Sequence, residues 1–348
     1  MIMKLNKKNL RVLVTGSAGF IGSHVYDLIF DRNYNVFGVD DLSGGFMRNV
    51  SKKEYFFKLD LRDRKKTDEF ISKLKPQVIF HLAADATEGR SQFTPFSAID
   101  RNINAYINLL VPAIREGLGK MVLISSMSVY GAQQAPFKEE MIPQPEDIYG
   151  ISKLTMELIT KVMSQVYGFK YVIIRPHNVY GPRQNLSDPY RNVIGIFINR
   201  LMQGKNFYIY GDGEQRRAFS YIDDVAPLIV ELGFRKDAEG EVFNVGSDEV
   251  VTLNELSELI LKEFFGDNIP AKLRPKYLPY RPQEVKFAFC DHRKIKRMFG
   301  FKAKTKIKDG LKKMIDWAKT IGPQEFVYLD RLDLENVKTP GSWKKRII

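Results

Sequence analysis

Two side chains capable of proton chemistry lie four residues apart in Tyr149-Gly150-Ile151-Ser152-Lys153. On a helix this spacing places Tyr149 and Lys153 on the same face, one turn apart. A free phenol has a pKa of about 10 and is a poor base near neutral pH. A neighbouring ammonium group lowers that pKa, so the pair predicts an acceptor for the proton of a hydroxyl that is being oxidised. A Tyr-x-x-x-Lys pair without other motifs is equally consistent with two ordinary helix residues.

A serine-rich segment, Ser125-Ser126-Met127-Ser128-Val129-Tyr130-Gly131, offers a further hydroxyl. It follows an apolar run that predicts a buried strand, so Ser126 is expected at the carboxyl edge of a sheet. From there its hydroxyl would share a hydrogen bond with the substrate oxygen beside Tyr149. Ser126 is therefore the third predicted catalytic residue.

Three glycines mark the end of the first predicted strand, in Gly16-Ser17-Ala18-Gly19-Phe20-Ile21-Gly22. A Gly-x-x-Gly-x-x-Gly turn between a strand and a helix lets the backbone approach a pyrophosphate closely. It also directs the free N–H groups of the helix N-terminus at that charge. We therefore predict that a dinucleotide binds at Gly16, Gly19, Phe20, Ile21 and Gly22. A turn that serves only packing is the alternative.

Acidic residues after the next two strands complete the predicted cofactor site. Asp40 ends the second strand, where a carboxylate accepts hydrogen bonds from the adenosine ribose and repels a 2′-phosphate. This favours NAD over NADP, with Asp41 as the competing residue for the same role. Asp60, followed by Leu61, is predicted to hold the adenine, or else Asp60 caps the helix that follows.

Alternating elements would position these groups. Apolar runs at residues 11–15, 35–39, 55–58, 78–80, 121–125 and 171–175 predict strands, and helical patterns lie near residues 20–32, 64–74, 99–116 and 149–167. This alternation predicts an α/β fold, a doubly wound parallel sheet with helices on both faces. We divide the chain into a cofactor-binding domain (residues 1–180), a smaller C-terminal substrate-binding lobe interleaved with the last strands (181–330) and a loosely held basic tail (331–348).

Composition limits the remaining possibilities. The 348 residues are 44% hydrophobic and 27% charged, the ordinary balance of a globular protein. Cys290 is the only cysteine, so the chain forms no internal disulfide and no cysteine-based metal site. No apolar run has the roughly 18 residues that a membrane span needs, and we expect a cytoplasmic protein that binds no metal. The net charge of +13 comes mostly from scattered lysines, which favours a solvated surface over nucleic-acid binding.

Further motifs extend these signals along the chain. They are His81-Leu82-Ala83-Ala84, Arg175-Pro176-His177-Asn178-Val179-Tyr180-Gly181-Pro182, Gly211-Asp212-Gly213-Glu214-Gln215-Arg216-Arg217-Ala218-Phe219-Ser220-Tyr221-Ile222-Asp223-Asp224-Val225 and Arg281-Pro282-Gln283-Glu284-Val285. From about residue 10 to residue 317 the sequence resembles the extended short-chain dehydrogenase/reductase family. Within it the likeness is to the nucleotide-sugar epimerases of the UDP-glucose 4-epimerase type.

The resemblance implies a Rossmann sheet that binds NAD and a role for each matching position. Cofactor contacts are implied for Leu82, Ala83, Ala84 and, near the nicotinamide ribose, Asn102. The nucleotide diphosphate would be held by Asn178, Arg217 and Arg281. Arginine suits phosphate because it offers paired donors, although a surface salt bridge is the alternative for either arginine.

The chain departs from the family pattern near the sugar. Ala218 stands where an aspartate is frequent, and His177 stands where an aromatic residue is usual, either as packing or as a substrate contact. The charged segment Asp85-Ala86-Thr87-Glu88-Gly89-Arg90-Ser91 should flank the sugar. Arg90 would either pair with Glu88 or bind a substrate oxygen, and both readings stay open.

The reaction follows from a missing acid. Related dehydratases carry Asp-Glu before Val-Tyr-Gly and related decarboxylases carry a glutamate there, whereas this chain has Met127 and Ser128. Without a carboxyl group as general acid or base, elimination loses its catalyst. We therefore predict NAD-dependent C4 epimerisation of a nucleotide sugar: Tyr149 removes the 4-hydroxyl proton while the C4 hydride passes to NAD and later returns to the other face.

Other outcomes remain possible at this stage. They are a one-way 4-dehydrogenase or 4-keto reductase and a non-catalytic NAD-binding regulator. The resemblance favours a UDP-sugar but leaves the sugar and the base open. It also implies a homodimer packed through the helices near residues 99–116 and 149–167, whose apolar faces would fit burial within one subunit equally well.

Overall fold

The computed structural model describes residues 9–281 and 285–348. Its strands are β1 (Arg11–Thr15), β2 (Asn35–Asp40), β3 (Phe56–Lys58), β4 (Val78–His81), β5 (Lys120–Ile124), β6 (Lys170–Pro176), β7 (Val179–Tyr180), β8 (Tyr208–Tyr210), β9 (Arg216–Ala218), β10 (Ser220–Tyr221), β11 (Val242–Val245), β12 (Val250–Thr252), β13 (Lys276–Leu278) and β14 (Phe287–Ala288). Its α-helices are α1 (Phe20–Asp31), α2 (Arg64–Leu74), α3 (Glu88–Ser91), α4 (Pro95–Ala98), α5 (Ala105–Arg115), α6 (Ile148–Tyr167), α7 (Val193–Met202), α8 (Ile222–Phe234), α9 (Leu253–Phe265), α10 (Arg293–Phe299), α11 (Ile307–Ile321) and α12 (Gly341–Lys344).

Within these residues, seven parallel strands form the central sheet in the order β11-β6-β5-β4-β1-β2-β3. The order reverses between β1 and β4, so the connections from these strands lead to opposite sides and leave a crevice at their carboxyl ends. Ligands of doubly wound sheets bind at such a point. The predicted α/β fold is therefore confirmed, and its reversal lies beside the glycine turn.

Alternation along the strands supplies two apolar cores, one on each face of the sheet. Val12 and Val14 pack on the face that carries α1 and α8, whereas Leu13 packs on the face that carries α2, α5 and α6. All three side chains are fully buried. A sheet with helices on both faces requires nearly continuous apolar strands, which these sequences have.

The predicted helix at residues 99–116 forms in two parts. A π-helical stretch, Ile99–Asn104, runs directly into α5, which contains Pro112. Wider π-helical turns are often found at functional sites because they redirect individual side chains. Here the stretch carries Asn102, a predicted cofactor residue, to a fully buried position next to α6.

The later elements form a smaller lobe on the same core. Helices α7, α9 and α11 pack together, and the short sheets β12-β9-β14 and β13-β8 belong to the same lobe. Strand β11 returns to the central sheet and pairs with β6. None of the helices in residues 9–281 and 285–348 is long and apolar enough to cross a membrane.

Residues 331–348, which the sequence predicts as a loosely held basic tail, carry buried side chains in the structure. Leu332, Trp343 and Ile348 are buried and form an apolar cluster with Phe93 and Tyr190. The basic residues of this segment are exposed to solvent, as their charge suggested. They alternate with apolar side chains that pack against distant parts of the fold. Local sequence could not reveal those partners because they are more than a hundred residues away.

Candidate active site

The glycine turn packs so closely that two of its positions exclude any side chain. A Cβ at Gly22 would lie 2.0 Å from the Gly16 carbonyl oxygen, and one at Gly16 would lie 2.8 Å from the Ala83 nitrogen. Gly16 also has a φ of 69°, which favours glycine. The turn thus brings the start of α1 against the loop after β4, where α1 presents its free N–H groups.

Asp40 fixes the same turn from the end of β2. Its Oδ2 accepts a hydrogen bond from the Ala18 nitrogen (3.1 Å) and its Oδ1 accepts one from the Leu42 nitrogen (2.7 Å). Burial raises the pKa of this carboxyl group. Asp41, the competing residue, instead pairs with Arg101 at 3.3 Å. Both acids line the larger cavity, and the contact of Asp40 with the adenosine ribose stays a prediction.

A cavity of about 500 Å³ runs along this edge of the sheet. That volume is within the range of small-molecule and cofactor sites, about 300–1,000 Å³. The predicted cofactor residues that line it are Gly16, Gly19, Phe20, Ile21, Gly22, Asp40, Asp60, Leu61, Leu82, Ala83, Ala84, Tyr149 and Lys153. The glycine cradle, the exposed helix N-terminus and the acid on β2 together fit a dinucleotide such as NAD.

Two predicted cofactor residues are also engaged within the protein. Asp60 forms a salt bridge with Arg62 (2.6 Å) and remains on the cavity wall. Asn102 accepts from the Asp85 nitrogen (2.8 Å) and donates to the Asp85 carbonyl (3.3 Å) and to Ser152 Oγ (2.8 Å). The Asn102 amide thus joins the loop after β4 to α6. Its predicted contact with the nicotinamide ribose stays a prediction.

Tyr149 and Lys153 lie one turn apart in the first two turns of α6, as the spacing predicted. Asp147 caps the helix just before its first residue, and its carboxylate accepts from the Gly150 nitrogen (2.8 Å). The Lys153 Nζ lies 5.8 Å from the centroid of the Tyr149 ring and donates to the Ile124 carbonyl at the end of β5 (2.8 Å). The spacing prediction for the pair is thus confirmed.

The electrostatics of the pair differ from the expectation. Burial raises the pKa of Tyr149 well above its usual value, and a hydrogen bond with Ser126 partly opposes this. Burial also lowers the pKa of Lys153 to about 8, against the attraction of Glu157. We expected Lys153 to lower the pKa of the Tyr149 phenol. In the protein without cofactor the pKa is raised instead, because desolvation is the largest effect on both groups.

Behind this pair lies a second buried charge, Arg175 at the end of β6. Its guanidinium donates to both carboxylate oxygens of Glu157, at 2.8 Å and 2.6 Å, and to the Tyr130 hydroxyl at 2.8 Å. Tyr130 in turn donates to Asn244 (2.8 Å) on β11. Ser125, next to Ser126, donates to the same Glu157 (2.5 Å). This network holds the serine segment against the sheet.

A second cavity, of about 280 Å³, adjoins the first on the side of the smaller lobe. The predicted diphosphate residues Asn178, Arg217 and Arg281 all line it. The Arg281 guanidinium lies 4.6 Å from the centroid of the Tyr210 ring. The remaining residues of the Arg281 motif, Pro282, Gln283 and Glu284, lie outside the described part of the chain. Met127, Ser128, Asn178 and Tyr190 line both cavities.

In the segment of residues 85–91, which is predicted to flank the sugar, Arg90 pairs with Asp85 and not with Glu88. Arg90 is bound to Asp85, with its Nη2 2.9 Å from each carboxylate oxygen, and its guanidinium lies 5.0 Å from the Tyr190 ring centroid. Its Nε has no hydrogen-bond partner among the described residues. Arg90 therefore has a structural partner and still offers one buried donor on the wall of the larger cavity.

His177 is held by neighbours on every side. Its Nδ1 lies 3.2 Å from the Ala218 carbonyl oxygen, which can only accept, so Nδ1 carries the proton. Its Nε2 lies 2.9 Å from Nε2 of His292, whose other nitrogen lies 2.8 Å from Asp248. Burial lowers the pKa of His177 to about 3, so it is neutral. The packing interpretation fits this arrangement, although His177 also touches the larger cavity.

The NAD dependent epimerase/dehydratase family model matches residues 12–246 of this sequence. The chain belongs to this family. A member from Mycolicibacterium smegmatis, a UDP-glucose 4-epimerase, is 32% identical over 317 residues, which cover 88% of this chain and 98% of that protein. The family resemblance and its NAD-binding fold are thereby confirmed.

Solved structures of family members superimpose on most of the chain. The UDP-glucose 4-epimerase of Thermotoga maritima, solved with UDP-glucose, is 35% identical, with a TM-score of 0.82 over 90% of this chain and 99% of its own. The UDP-glucuronic acid 4-epimerase of Bacillus cereus, solved with UDP-glucuronic acid and NAD, is 28% identical, with a TM-score of 0.81 over 90% and 100%. In both comparisons the aligned region spans nearly all of the solved structure but leaves about a tenth of this chain unmatched.

Some residues of the site were not identified from the sequence. Asp147 lies two residues before Tyr149, and burial with the nearby charge of Glu88 raises its pKa to about 7. Tyr190 and Arg191 reach the site from the loop before α7. An N-cap acid before a helix is a readable signal for Asp147. Tyr190 and Arg191 belong to no motif, and only the tertiary fold brings them here.

Proposed function

We propose that this protein is an NAD-dependent epimerase that inverts C4 of a UDP-hexose. One observation carries the proposal: the Tyr149 phenol, hydrogen-bonded to Ser126, lines the larger cavity, and this cavity shares the neighbouring Met127 and Ser128 with the smaller, arginine-lined cavity. A sugar that reaches from the smaller cavity toward the nicotinamide end of the larger one would bring a hydroxyl group beside this phenol. The relatives named above are 4-epimerases of UDP-sugars, which supports the same reaction.

The residues present suit the cofactor. Gly16, Gly19 and Gly22 would hold the pyrophosphate, Asp40 the adenosine ribose, and Tyr149 with Lys153 the nicotinamide end. When bound, NAD supplies the acceptor and donor for the C4 hydride, and its positive ring favours the ionised form of a nearby phenol. The high pKa of the phenol in the protein alone thus keeps Tyr149 protonated until the site is filled.

The protein's own part is proton transfer and orientation. Tyr149 takes the proton of the 4-hydroxyl and returns it to the oxygen when the opposite configuration forms. Ser126 donates to the same oxygen and keeps it beside the phenol. Lys153, with a pKa of about 8, stabilises the phenolate by charge. Asn178, Arg217 and Arg281 bind the nucleotide diphosphate from the smaller lobe.

A panel of UDP-, GDP- and CDP-sugars, followed by NMR of the products, tests the reaction. We expect a UDP-hexose to equilibrate with its C4 epimer without accumulation of NADH. Tyr149→Phe should abolish turnover and leave NAD binding nearly unchanged, since the ring and its packing remain. Turnover by the Phe variant, or steady NADH formation by the wild type, would exclude epimerisation through Tyr149.

One observation favours a second candidate, elimination at the same site. The segment Met127-Ser128 lacks an acid, but Asp147 places a carboxyl group with a pKa of about 7 near Tyr149. Asp147 also caps α6 through the Gly150 nitrogen, which is a sufficient structural reason for its presence. The NMR panel separates the two reactions, because elimination would yield a 4-keto-6-deoxy sugar rather than an epimer.

We also propose a homodimer formed through α6 and α5. Four apolar side chains lie along one exposed side of α6: Ile151, Leu158, Val162 and Val166 are 42%, 53%, 57% and 67% exposed. Val111 on α5 is 45% exposed. Such a stripe fits burial against the same helices of a second subunit. Light scattering should give twice the chain mass, and Leu158→Glu should give monomers.

The domain limits predicted from the sequence form part of this proposal. Residues 1–180 would bind the cofactor and residues 181–330 the nucleotide sugar, with 331–348 as a basic tail. The strand β11 crosses this division, since it completes the sheet of the first unit.

A further inference from the structure

Residues 323–348, here called the strap, follow α11 and run across the carboxyl edge of the sheet toward both cavities. Part of the strap is exposed, as with Val337 (98%), whereas Trp343 and Ile348 are 5% and 7% exposed. The three relatives named above match 88–90% of this chain and nearly all of their own length. This chain therefore contains residues that have no counterpart in those three proteins.

The strap is hydrogen-bonded to both halves of the molecule. On the first half, the Asp333 nitrogen donates to the Phe93 carbonyl (2.9 Å) and the Asp333 carboxylate accepts from the Phe96 nitrogen (3.1 Å). On the smaller lobe, Gln324 and Asn199 exchange two hydrogen bonds of 2.8 Å. These bonds connect the loop after α3 with helix α7, so the strap joins the two sides of the site.

Trp343 is the central contact of the strap. Its ring meets Phe93 and Tyr190 edge-on, at centroid distances of 5.9 Å and 5.3 Å. Edge-to-face pairs of this kind add to the gain from apolar burial. Tyr190 in turn lies against Arg90, whose ion pair with Asp85 shapes the segment predicted to flank the sugar. Trp343 thus supports that segment through one intervening ring.

The strap also contributes directly to the cavity walls. Pro340, Trp343 and Ile348 line the smaller cavity, together with the predicted diphosphate residues. Val327, Tyr328 and Leu329 line the larger, cofactor-shaped cavity. The Tyr210 hydroxyl, beside Arg281, is hydrogen-bonded to Ser342 of the strap. One segment therefore faces both predicted ligands.

The charges of the strap do not face the cavities. Lys344 donates to the Asn336 carbonyl of the strap itself (2.8 Å), and Arg346 lies over Tyr328 (5.8 Å). Both basic side chains are largely exposed. What the strap presents to the smaller cavity is apolar and aromatic surface. Such a surface suits the base or ribose of a nucleotide better than its phosphates.

We infer that the strap forms part of the nucleotide-sugar binding site and that Trp343 supplies one wall of it. The inference rests on the proposed function only for the class of ligand, a nucleoside diphosphate. Trp343 positions the segment that contains Arg90 and limits the space beside the nucleotide. Loss of its ring should weaken nucleotide binding more than it weakens NAD binding.

Tryptophan fluorescence provides a direct test because the chain has only two tryptophans, Trp317 and Trp343. In a Trp317→Phe background, titration with UDP, and with GDP and CDP in parallel, reports on Trp343 alone. We expect a saturable change in emission with at least one of these nucleotides. Calorimetry should show that Trp343→Ala weakens the same nucleotide about tenfold, whereas the matched strap variant Val337→Ala binds normally.

A second variant distinguishes a direct effect of Trp343 on nucleotide binding from an effect on stability. Trp343→Phe keeps an aromatic ring against Phe93 and Tyr190, so we expect a normal melting temperature and a loss of nucleotide affinity of about threefold. Equal nucleotide affinity in the wild type, Trp343→Ala and Trp343→Phe would overturn the inference and leave the proposed function standing. A UDP-induced change in Trp343 emission in a protein that converts no UDP-sugar would support the inference and overturn the proposed function.

Discussion

Two cations are buried side by side in this protein, and they are held in opposite ways. Arg175 and Lys153 are each 2% exposed. Arg175 donates to both oxygens of Glu157 and to Tyr130, and this pairing raises its pKa above the usual value despite burial. Within the described part of the chain, Lys153 donates to one backbone carbonyl, that of Ile124, and burial lowers its pKa to about 8.

The difference separates a structural charge from a functional one. A buried cation with a complete set of partners is fixed in its charged form and contributes to the architecture. A buried cation with a neutral acceptor is costly to the fold and remains responsive to what enters the site. Glu157 lies close enough to influence both, yet its two oxygens are bound by Arg175.

Replacement of the functional cation should give the largest effect. Lys153→Met removes the charge beside Tyr149, and we expect turnover to fall by about a thousandfold. The free energy of unfolding at pH 7 should stay the same or rise by about 1 kcal/mol, because the variant no longer buries an ammonium group. NMR rates and urea unfolding measure the two quantities. An active or strongly destabilised Met variant would contradict the comparison.

Replacement of the partner of the structural cation should act on stability instead. Glu157→Gln leaves Arg175 buried without its counter-ion, which should reduce the free energy of unfolding by about 3 kcal/mol or more. Urea unfolding at pH 7 measures this loss. The exposed Glu69→Gln is the matched control and should change stability by no more than about 0.5 kcal/mol. Similar losses of unfolding free energy in Glu157→Gln and Glu69→Gln would show that Arg175 does not depend on Glu157 as its counter-ion.

The pH dependence of stability should reveal Lys153 on its own. Its pKa is about 8 in the folded protein and about 10.4 when unfolded, so the unfolded chain binds more protons between these values. The stability contribution is therefore complete above pH 10.4 and is lost as the pH falls through 8. Relative to Lys153→Met, the wild type should gain roughly 2 kcal/mol between pH 8 and pH 10. Other groups cancel in this difference, and a flat difference would refute the assignment.

The smallest effect concerns the outer part of the Arg175 network. Tyr130→Phe removes a hydroxyl that accepts from Arg175 and donates to Asn244, both at 2.8 Å. Because Glu157 remains in place, we expect a loss of only about 1–2 kcal/mol in the free energy of unfolding. Thermal and urea unfolding should agree on this value. A loss as large as that of Glu157→Gln would mean that Tyr130 rather than Glu157 holds the charge.

The cofactor half of this site was largely predictable from the sequence. The glycine turn, the acid at Asp40 and the Tyr149–Lys153 spacing depend on residues that are close in sequence or on strand ends that must meet at one edge. Predicted strands agree with the observed ones to within one residue or so, as at Asn35–Asp40. Short-range periodicity carries this information, because a strand or helix is visible within a few residues.

The rest depends on contacts between distant segments. His177 meets His292, which is 115 residues later, and Trp343 meets Phe93. Strand β11 has only four residues, one of them the polar Asn244, and its place in the sheet comes from pairing with β6. The pKa values of Tyr149 and Lys153 depend on burial, which no local pattern measures. The local sequence therefore predicts the positions of Tyr149 and Lys153 on one helix, but it does not predict their pKa values.

Asp40 limits how readily the coenzyme preference of this protein can be redesigned. A switch to a 2′-phosphorylated coenzyme would replace this acid by a neutral or basic residue. The same carboxylate, however, accepts from the Ala18 nitrogen in the glycine turn and from the Leu42 nitrogen in the next loop. A single substitution at Asp40 would remove the repulsion of a 2′-phosphate. It would also remove the two hydrogen bonds that hold these loops. Altered coenzyme specificity therefore requires compensating changes around Ala18 and Leu42, and libraries restricted to residue 40 should yield mainly poor binders of either coenzyme.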